Sequence, residues 1–235
     1  MEIRFIWFVP LIVSLSAACQ TTAIKTNETI GKTENINVEI VKITPTETPK
    51  VLVEPKSIQA EIDGKQTELV LAKEIVPNLA EDLKYATADN FMRRKLYDDP
   101  KCYLLCETAE KLAFADKDLS KRKPGFKLKV WDCYRPMSVQ KEMWKEYTNT
   151  PYVANPVTAR HPRGRAVDIT IVDANGKELE MPTKYDDFSP KARPNAPTTQ
   201  VAAINRELLR SVMVSAGFTG VTSEWWHFDN LAKGK

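Results

Sequence analysis

Two segments hold the residues best equipped for chemistry, "RHPRGRAVDIT" beginning at Arg160 and "SEWWHFDN" beginning at Ser223. The chain has only two histidines, His161 and His227, and one lies in each segment. Each has a carboxylate nearby: Asp168 follows the first and Glu224 precedes the second. Two imidazoles and one carboxylate are a good donor set for a catalytic Zn²⁺, which keeps a fourth position for water. A metal so held brings the pKa of that water toward neutrality. A base must then reach the water, and Glu224 is the candidate. Taken singly, each residue has a plainer reading. His161 could be a hydrogen-bonded surface imidazole, Glu224 a solvated acid, and "RHPRGR" a solvated basic loop. Trp225, Trp226 and Phe228 could simply be core or pocket wall. The plainer readings lose ground because both histidines sit beside a carboxylate, in segments containing Gly or aromatics.

These groups converge only if the right elements carry them. "AVDITIVD" alternates, with Val167, Ile169 and Ile171 on one face and Asp168 and Thr170 on the other. That period predicts a strand whose acid faces away from the core side. Between His161 and Asp168 the loop "HPRG" must fold back, and Gly164 permits a tight path. "SEWWHFD" reads as an aromatic strand or strand edge. Residues i and i+3 of a strand face opposite ways, so Glu224 must sit on a turn or bulge leading into it.

Other periodic segments surround these. "CYLLCETAEKLAFADKDL" places Leu105, Ala109, Leu112 and Ala113 on one helical face. "FKLKVWD" predicts a half-buried strand, with Phe126, Leu128 and Val130 inward, that ends at Asp132. "SVQKEMWKEY" has Val139, Met143 and Tyr147 at helical spacing, with Ser138 as an N-cap. "DANG" turns the chain, Asn175-Gly176 suiting positive φ. In "TTQVAAINRELLRSVMVSAGF" a stripe of Ile204, Leu208 and Val212 predicts a helix that Gly217 stops. Helices and strands mix without repeated βαβ units, which predicts an α+β fold with a central, mainly antiparallel sheet flanked by helices.

Composition narrows the function classes. A net charge of +3, mixed evenly along the chain, argues against a nucleic-acid partner. The eight glycines are scattered and form no phosphate-binding loop. The first residues, "MEIRFIWFVPLIVSLSAAC", run from Arg4 through an apolar stretch, Phe5 to Leu15, to small residues before Cys19. That layout predicts an export signal over residues 1–19. "SLSAAC" further resembles a bacterial lipoprotein signal with Cys19 as the lipidated residue, though Ser16 stands where such signals usually carry Leu. Residues 20–57 are rich in Thr, Lys, Glu and Pro and lack aromatics, so they are expected to form a flexible polar tether. Residues 58–235 form the expected single compact domain. The expected location is the periplasm or cell envelope, with membrane contact only through the lipid.

"HPRGRAVD" resembles the His-x-x-Gly-x-Ala-x-Asp core, and "EWWHFD" the Glu-x-x-His segment, of the D-alanyl-D-alanine dipeptidases. These zinc peptidases include the VanX-type enzymes of vancomycin-resistance clusters. "VWDCYRP", "DLKYATADNF" and "YDDFSPKA" are similar to three further blocks of that family, in the same order, and the likeness covers residues 75–230. The resemblance implies one Zn²⁺ per chain, held by His161, Asp168 and His227. It makes Glu224 the base that takes a proton from the attacking water and later passes it to the leaving amine. Arg135 would stabilise the oxyanion formed from the scissile carbonyl. Tyr85 and Asp186 or Asp187 would bind the dipeptide, an acid suiting its free ammonium. Two positions depart from the pattern. Ala159 stands where most relatives have a substrate-contacting Ser, and Pro182 where Gly is common.

Besides Cys19 the chain has Cys102, Cys106 and Cys133. None has zinc-cluster spacing. In an oxidising compartment either Cys102 or Cys106 can bridge to Cys133 and stiffen the segment carrying Arg135; the competing reading is three small buried hydrophobes. The leading functional expectation is hydrolysis of D-alanyl-D-alanine to two D-alanines outside the cytoplasm, in turnover of wall-derived dipeptide. Two alternatives stay open: a D,D-carboxypeptidase or endopeptidase acting on longer wall peptides, and a non-catalytic wall-binding lipoprotein.

Overall fold

The computed structural model describes residues 56–148 and 150–231. The expected signal segment, Cys19 and nearly all of the tether lie outside the described residues. The chain first forms a hairpin, β1 (Ser57–Ile62) with β2 (Lys65–Leu71), paired antiparallel. Its turn residues Asp63 and Gly64 have φ of 51° and 76°. An Asp-Gly pair tolerates these values, and they match the twist of a tight hairpin. A short helix, α1 (Ala72–Ile75), and strand β3 (Ala80–Glu81) follow. Strand β4 (Tyr103–Leu104) then pairs with β2 to complete a three-stranded sheet.

The larger sheet carries the chemistry. Helix α2 (Cys106–Arg122) leads into β5 (Lys127–Asp132), and helix α3 (Met137–Glu146) follows. Strand β6 (Ala166–Val172) pairs antiparallel with β5 and, on its other side, with β8 (His227–Asp229). Between them in sequence lie helix α4 (Gln200–Ser215) and β7 (Thr219–Gly220), an edge strand on β8. The order is β3-β5-β6-β8-β7, and only β3 runs parallel to its neighbour. The architecture is thus α+β with a mainly antiparallel sheet. Among the described residues no helix is long and apolar enough to cross a membrane.

The main core joins α2, α4 and the sheet through Leu112, Leu119, Ile169, Leu209, Val212 and Trp226. Each fully buried aliphatic side chain contributes roughly 1.5–3 kcal/mol of transfer free energy. A second cluster, Tyr85, Met92, Val139, Met143 and Val153, forms where α3 packs.

Several local expectations are corrected. Ile204 is 60% exposed, because α4 buries the stripe Ala202, Leu209, Val212 and Met213 instead. The face that α2 buries runs through Ala109, Leu112, Ala115 and Leu119, leaving Leu105 as its N-cap and Ala113 only partly covered. Pro136 rather than Ser138 is the N-cap of α3, a place that suits its fixed φ and missing N–H. Strand β6 is buried on both faces, since the site covers the side that carries Asp168. Gly217, at φ 84°, ends α4 as its sequence suggests.

Candidate active site

His161 opens a single 3₁₀ turn, His161–Arg163, that ends at Gly164 in the left-handed region. A Cβ on Gly164 would lie 2.8 Å from Leu69 Cδ2 and 3.0 Å from the Leu105 nitrogen. Glycine thus lets this loop press against β2 and the start of α2 while it turns back into β6. Asp168 on β6 lies directly across from His227 on β8. Glu224 precedes β8 in an irregular bend, which frees it from strand alternation.

Donor atoms of His161, Asp168 and His227 all lie within 4.8 Å of one another, and among the described residues this is the only such cluster. Each imidazole has one nitrogen already engaged. His161 Nδ1 is 2.7 Å from the Cys133 carbonyl, to which it can only donate, and His227 Nε2 is 2.9 Å from Asp229 Oδ1. The remaining ring nitrogens face each other at 3.3 Å. Asp168 Oδ1 lies 2.9 Å from His227 Nδ1 and 3.4 Å from His161 Nε2. With both outer nitrogens donating, three lone pairs converge on one point, an arrangement that calls for a cation. Tyr185 donates to the other oxygen of Asp168 at 2.8 Å and fixes its orientation. Such outer contacts are how ligand side chains are usually held for a metal.

The electrostatics agree. Burial opposes a charged Asp168, yet His161 and His227 hold it well below the usual carboxylate range. Burial also opposes a charged His227, yet Asp168 and Asp229 raise it well above its ordinary value. The two acids draw positive charge to this point, and a metal ion answers the same demand. When bound, it would supply Lewis acidity to a water or a carbonyl oxygen.

A cavity of about 320 Å³ opens over these donors, and Tyr85, Arg135, Asp186 and Glu224 line it. Burial pushes Glu224 up to about 8, with Asp168 and Asp186 adding to the rise and His227 and Arg135 opposing it. Arg135 is buried, and Asp132 raises its pKa against the cost of burial, so it stays charged. Its Nε and Nη2 reach Asp132 Oδ2 at 3.0 and 2.5 Å, and its Nη1 donates to Gln140 Oε1 at 2.8 Å. Tyr97 donates to Asp132 Oδ1 at 3.1 Å, and the guanidinium lies 4.7 Å above the Tyr85 ring. Asp186 has φ 57°, unusual for a residue other than glycine. Tyr85 donates to its Oδ1 at 3.1 Å and the Phe91 N–H to its Oδ2 at 3.1 Å. Burial raises Asp186 to about 7. Asp187 is not part of the cavity lining; its Oδ1 accepts from the Ser189 N–H at 3.0 Å.

The structure therefore brings together His161, Asp168, His227, Glu224, Arg135, Tyr85 and Asp186, and leaves Asp187 aside. It also adds Asp132, Gln140, Tyr97, Tyr185 and Asp229, for which the sequence reading assigns no role. Asp132 and Asp229 did carry a signal, each being an acid next to a motif residue. Cys102 bridges to Cys133, joining the residue before β4 to the one after β5. The bridge lies two residues before Arg135, and the Cys133 carbonyl is the acceptor for His161.

Comparison with known proteins decides the family. A family profile described as D-ala-D-ala dipeptidase matches residues 65–234. The chain belongs to the D-Ala-D-Ala dipeptidase family. Members of this family are metal-dependent peptidases, so the enzyme is a metallopeptidase. The chain is 36% identical over 166 residues to the D-alanyl-D-alanine dipeptidase of Escherichia coli K12, covering 69% of this chain and 84% of that one. It is also 31% identical over 180 residues to the D-alanyl-D-alanine dipeptidase of Enterococcus faecium, covering 66% of this chain and 87% of that one.

Proposed function

We propose that this family member hydrolyses D-alanyl-D-alanine to two D-alanines with Zn²⁺ as its metal. The observation that carries this reading is the meeting of three converging lone pairs, a buried Glu224 and a fixed guanidinium over one cavity of dipeptide scale. The ligands would be His161, Asp168 and His227, a donor set suited to zinc. Glu224 takes a proton from the attacking water and delivers it to the leaving amine. A pKa near neutrality suits a group that must move the proton both ways. Arg135 donates to the carbonyl oxygen as negative charge builds there; its bonds to Asp132 and Gln140 hold it in place beforehand, so little reorganisation is needed. Asp186, oriented by Tyr85, receives the substrate's ammonium, and a blocked amine would leave that acid without a counter-charge.

We further propose that the reaction lies outside the cytoplasm, in turnover of wall-derived dipeptide, with Cys19 carrying a lipid anchor. This rests on the apolar N-terminal run and on "SLSAAC". The Cys102–Cys133 bridge is in keeping with an oxidising compartment.

The test is release of free D-alanine from D-Ala-D-Ala by the zinc-loaded enzyme. Glu224→Gln should lower kcat by at least about a thousandfold while keeping stoichiometric zinc, and His161→Ala should lose the zinc. An N-acetylated dipeptide should be a poor substrate. Undiminished turnover by Glu224→Gln, or preference for the blocked dipeptide, contradicts the reading.

A further inference from the structure

The dipeptide proposed above is a zwitterion with an anchor for only one of its charges. Its ammonium has Asp186. Its carboxylate needs a cation or a set of N–H donors, and among the described residues two side chains with a fixed positive charge line the cavity, Arg135 and Arg160. Arg135 is held by Asp132 and Gln140 through three of its five N–H groups, and the two that remain are assigned to the scissile carbonyl. Arg160 differs. Its carbonyl accepts from the Arg163 and Arg165 N–H groups, which fixes its backbone, while its guanidinium makes no hydrogen bond or ion pair among the described residues. Nearby arginines are already satisfied. Arg163 binds Asp63 and the carbonyls of Pro156 and Ala159, and Arg165 pairs with Glu107.

An unpaired arginine on a cavity wall is well suited to a planar anion, because its fork of N–H donors matches a carboxylate. The neighbouring position makes the need sharper. Ala159 is buried on the same wall and offers no side-chain donor, and its carbonyl is taken by Arg163 Nη1 at 2.6 Å. Asp186 and Arg160 line one cavity, yet no ion pair joins them among the described residues. The Arg160 guanidinium thus stays open on the wall of the cavity whose lining also holds Asp186.

We propose that Arg160 binds the C-terminal carboxylate of the substrate, so that the enzyme reads a dipeptide by its two terminal charges. This deepens the dipeptidase reading and rests on it. The residue is a specificity determinant and takes no part in bond cleavage.

The experiment compares D-Ala-D-Ala with D-alanyl-D-alaninamide, which lacks the terminal negative charge. Arg160→Gln should raise KM for the free acid by tenfold or more, with kcat within about twofold. KM for the amide should change by less than twofold, and Arg160→Lys should restore part of the affinity for the acid. Calorimetry in a Glu224→Gln background should show the same loss in Kd for the acid, so binding is read without turnover. An unchanged KM for the acid, or an equal rise for acid and amide, overturns the anchor alone. Absence of dipeptide turnover by the unsubstituted enzyme overturns the dipeptidase reading and the anchor together.

Discussion

Asp132→Asn tests how the arginine of the site is held. Asp132 is fully buried, and Arg135 is 6% exposed. The substitution keeps the volume and one carbonyl oxygen but removes the charge that balances the guanidinium. At contact distance, with an effective dielectric of about 20, that attraction is worth about 4 kcal/mol. Breaking a buried pair by removing one partner typically costs about 3–5 kcal/mol, so two independent routes agree. Domains of this size are usually stable by about 5–15 kcal/mol, so the variant should fold but with a thin margin. With a urea slope of about 2 kcal/mol/M, the unfolding midpoint should drop by roughly 2 M. Tryptophan fluorescence follows the transition, Trp131 being the residue next to Asp132 and buried. Turnover should fall as well, because Arg135 loses the contact that aims it. Adding Arg135→Met to Asp132→Asn should recover part of the lost stability, since the buried charge goes with it. A single-variant loss below about 1 kcal/mol, or strict additivity in the double variant, would refute the picture of an electrostatically clamped guanidinium.

Other consequences can be measured in the same preparations. Gly164→Ala must place a Cβ in the left-handed region and within 2.8 Å of Leu69; a loss of roughly 2–3 kcal/mol in urea is expected, together with weaker metal binding. Asp229→Asn leaves His227 Nε2 with a poorer acceptor, and competition with a chelator should show metal affinity falling about 10–100-fold. Asp186 has a folded pKa raised from 3.8 to about 7. Its contribution to stability is therefore complete below pH about 4 and lost as pH rises through about 7. Asp186→Asn should flatten that part of a pH series of melting curves. It should also remove the rise in kcat/KM between about pH 6 and 8 that ionisation of the ammonium's partner would produce.

The candidate metal site was legible because its residues are scarce and lie on strongly patterned segments. Two histidines in a chain with few options, and an acid on an alternating strand, leave little room for other partners. Asp186 was readable only as one of a pair, since the choice over Asp187 depends on a left-handed backbone that no local pattern announces. Asp132 was visible as the end of a strand. Its ion pair with Arg135, three residues on, is set by how the chain turns after β5, which strand alternation does not specify. Ile204 misled because helical periodicity specifies a face without saying which of two adjacent faces is covered. The Asp63-Gly64 hairpin is the opposite case, a turn that a purely local signal announces.

The cross-strand pair Asp168 and His227 makes the site sensitive to how β8 docks. A slip of one residue in this pairing would turn His227 to the opposite face of the sheet and leave His161 and Asp168 without their third donor. With His161, Asp168 and His227 as the proposed ligands, only one of the possible alignments would hold a metal. Because a ligand that binds one state alone stabilises it by about 2.7 kcal/mol at a hundred times its Kd, metal bound at the proposed site during refolding would act as a proofreader. It would reward the chain for bringing β8 home in the right frame and give misaligned chains nothing.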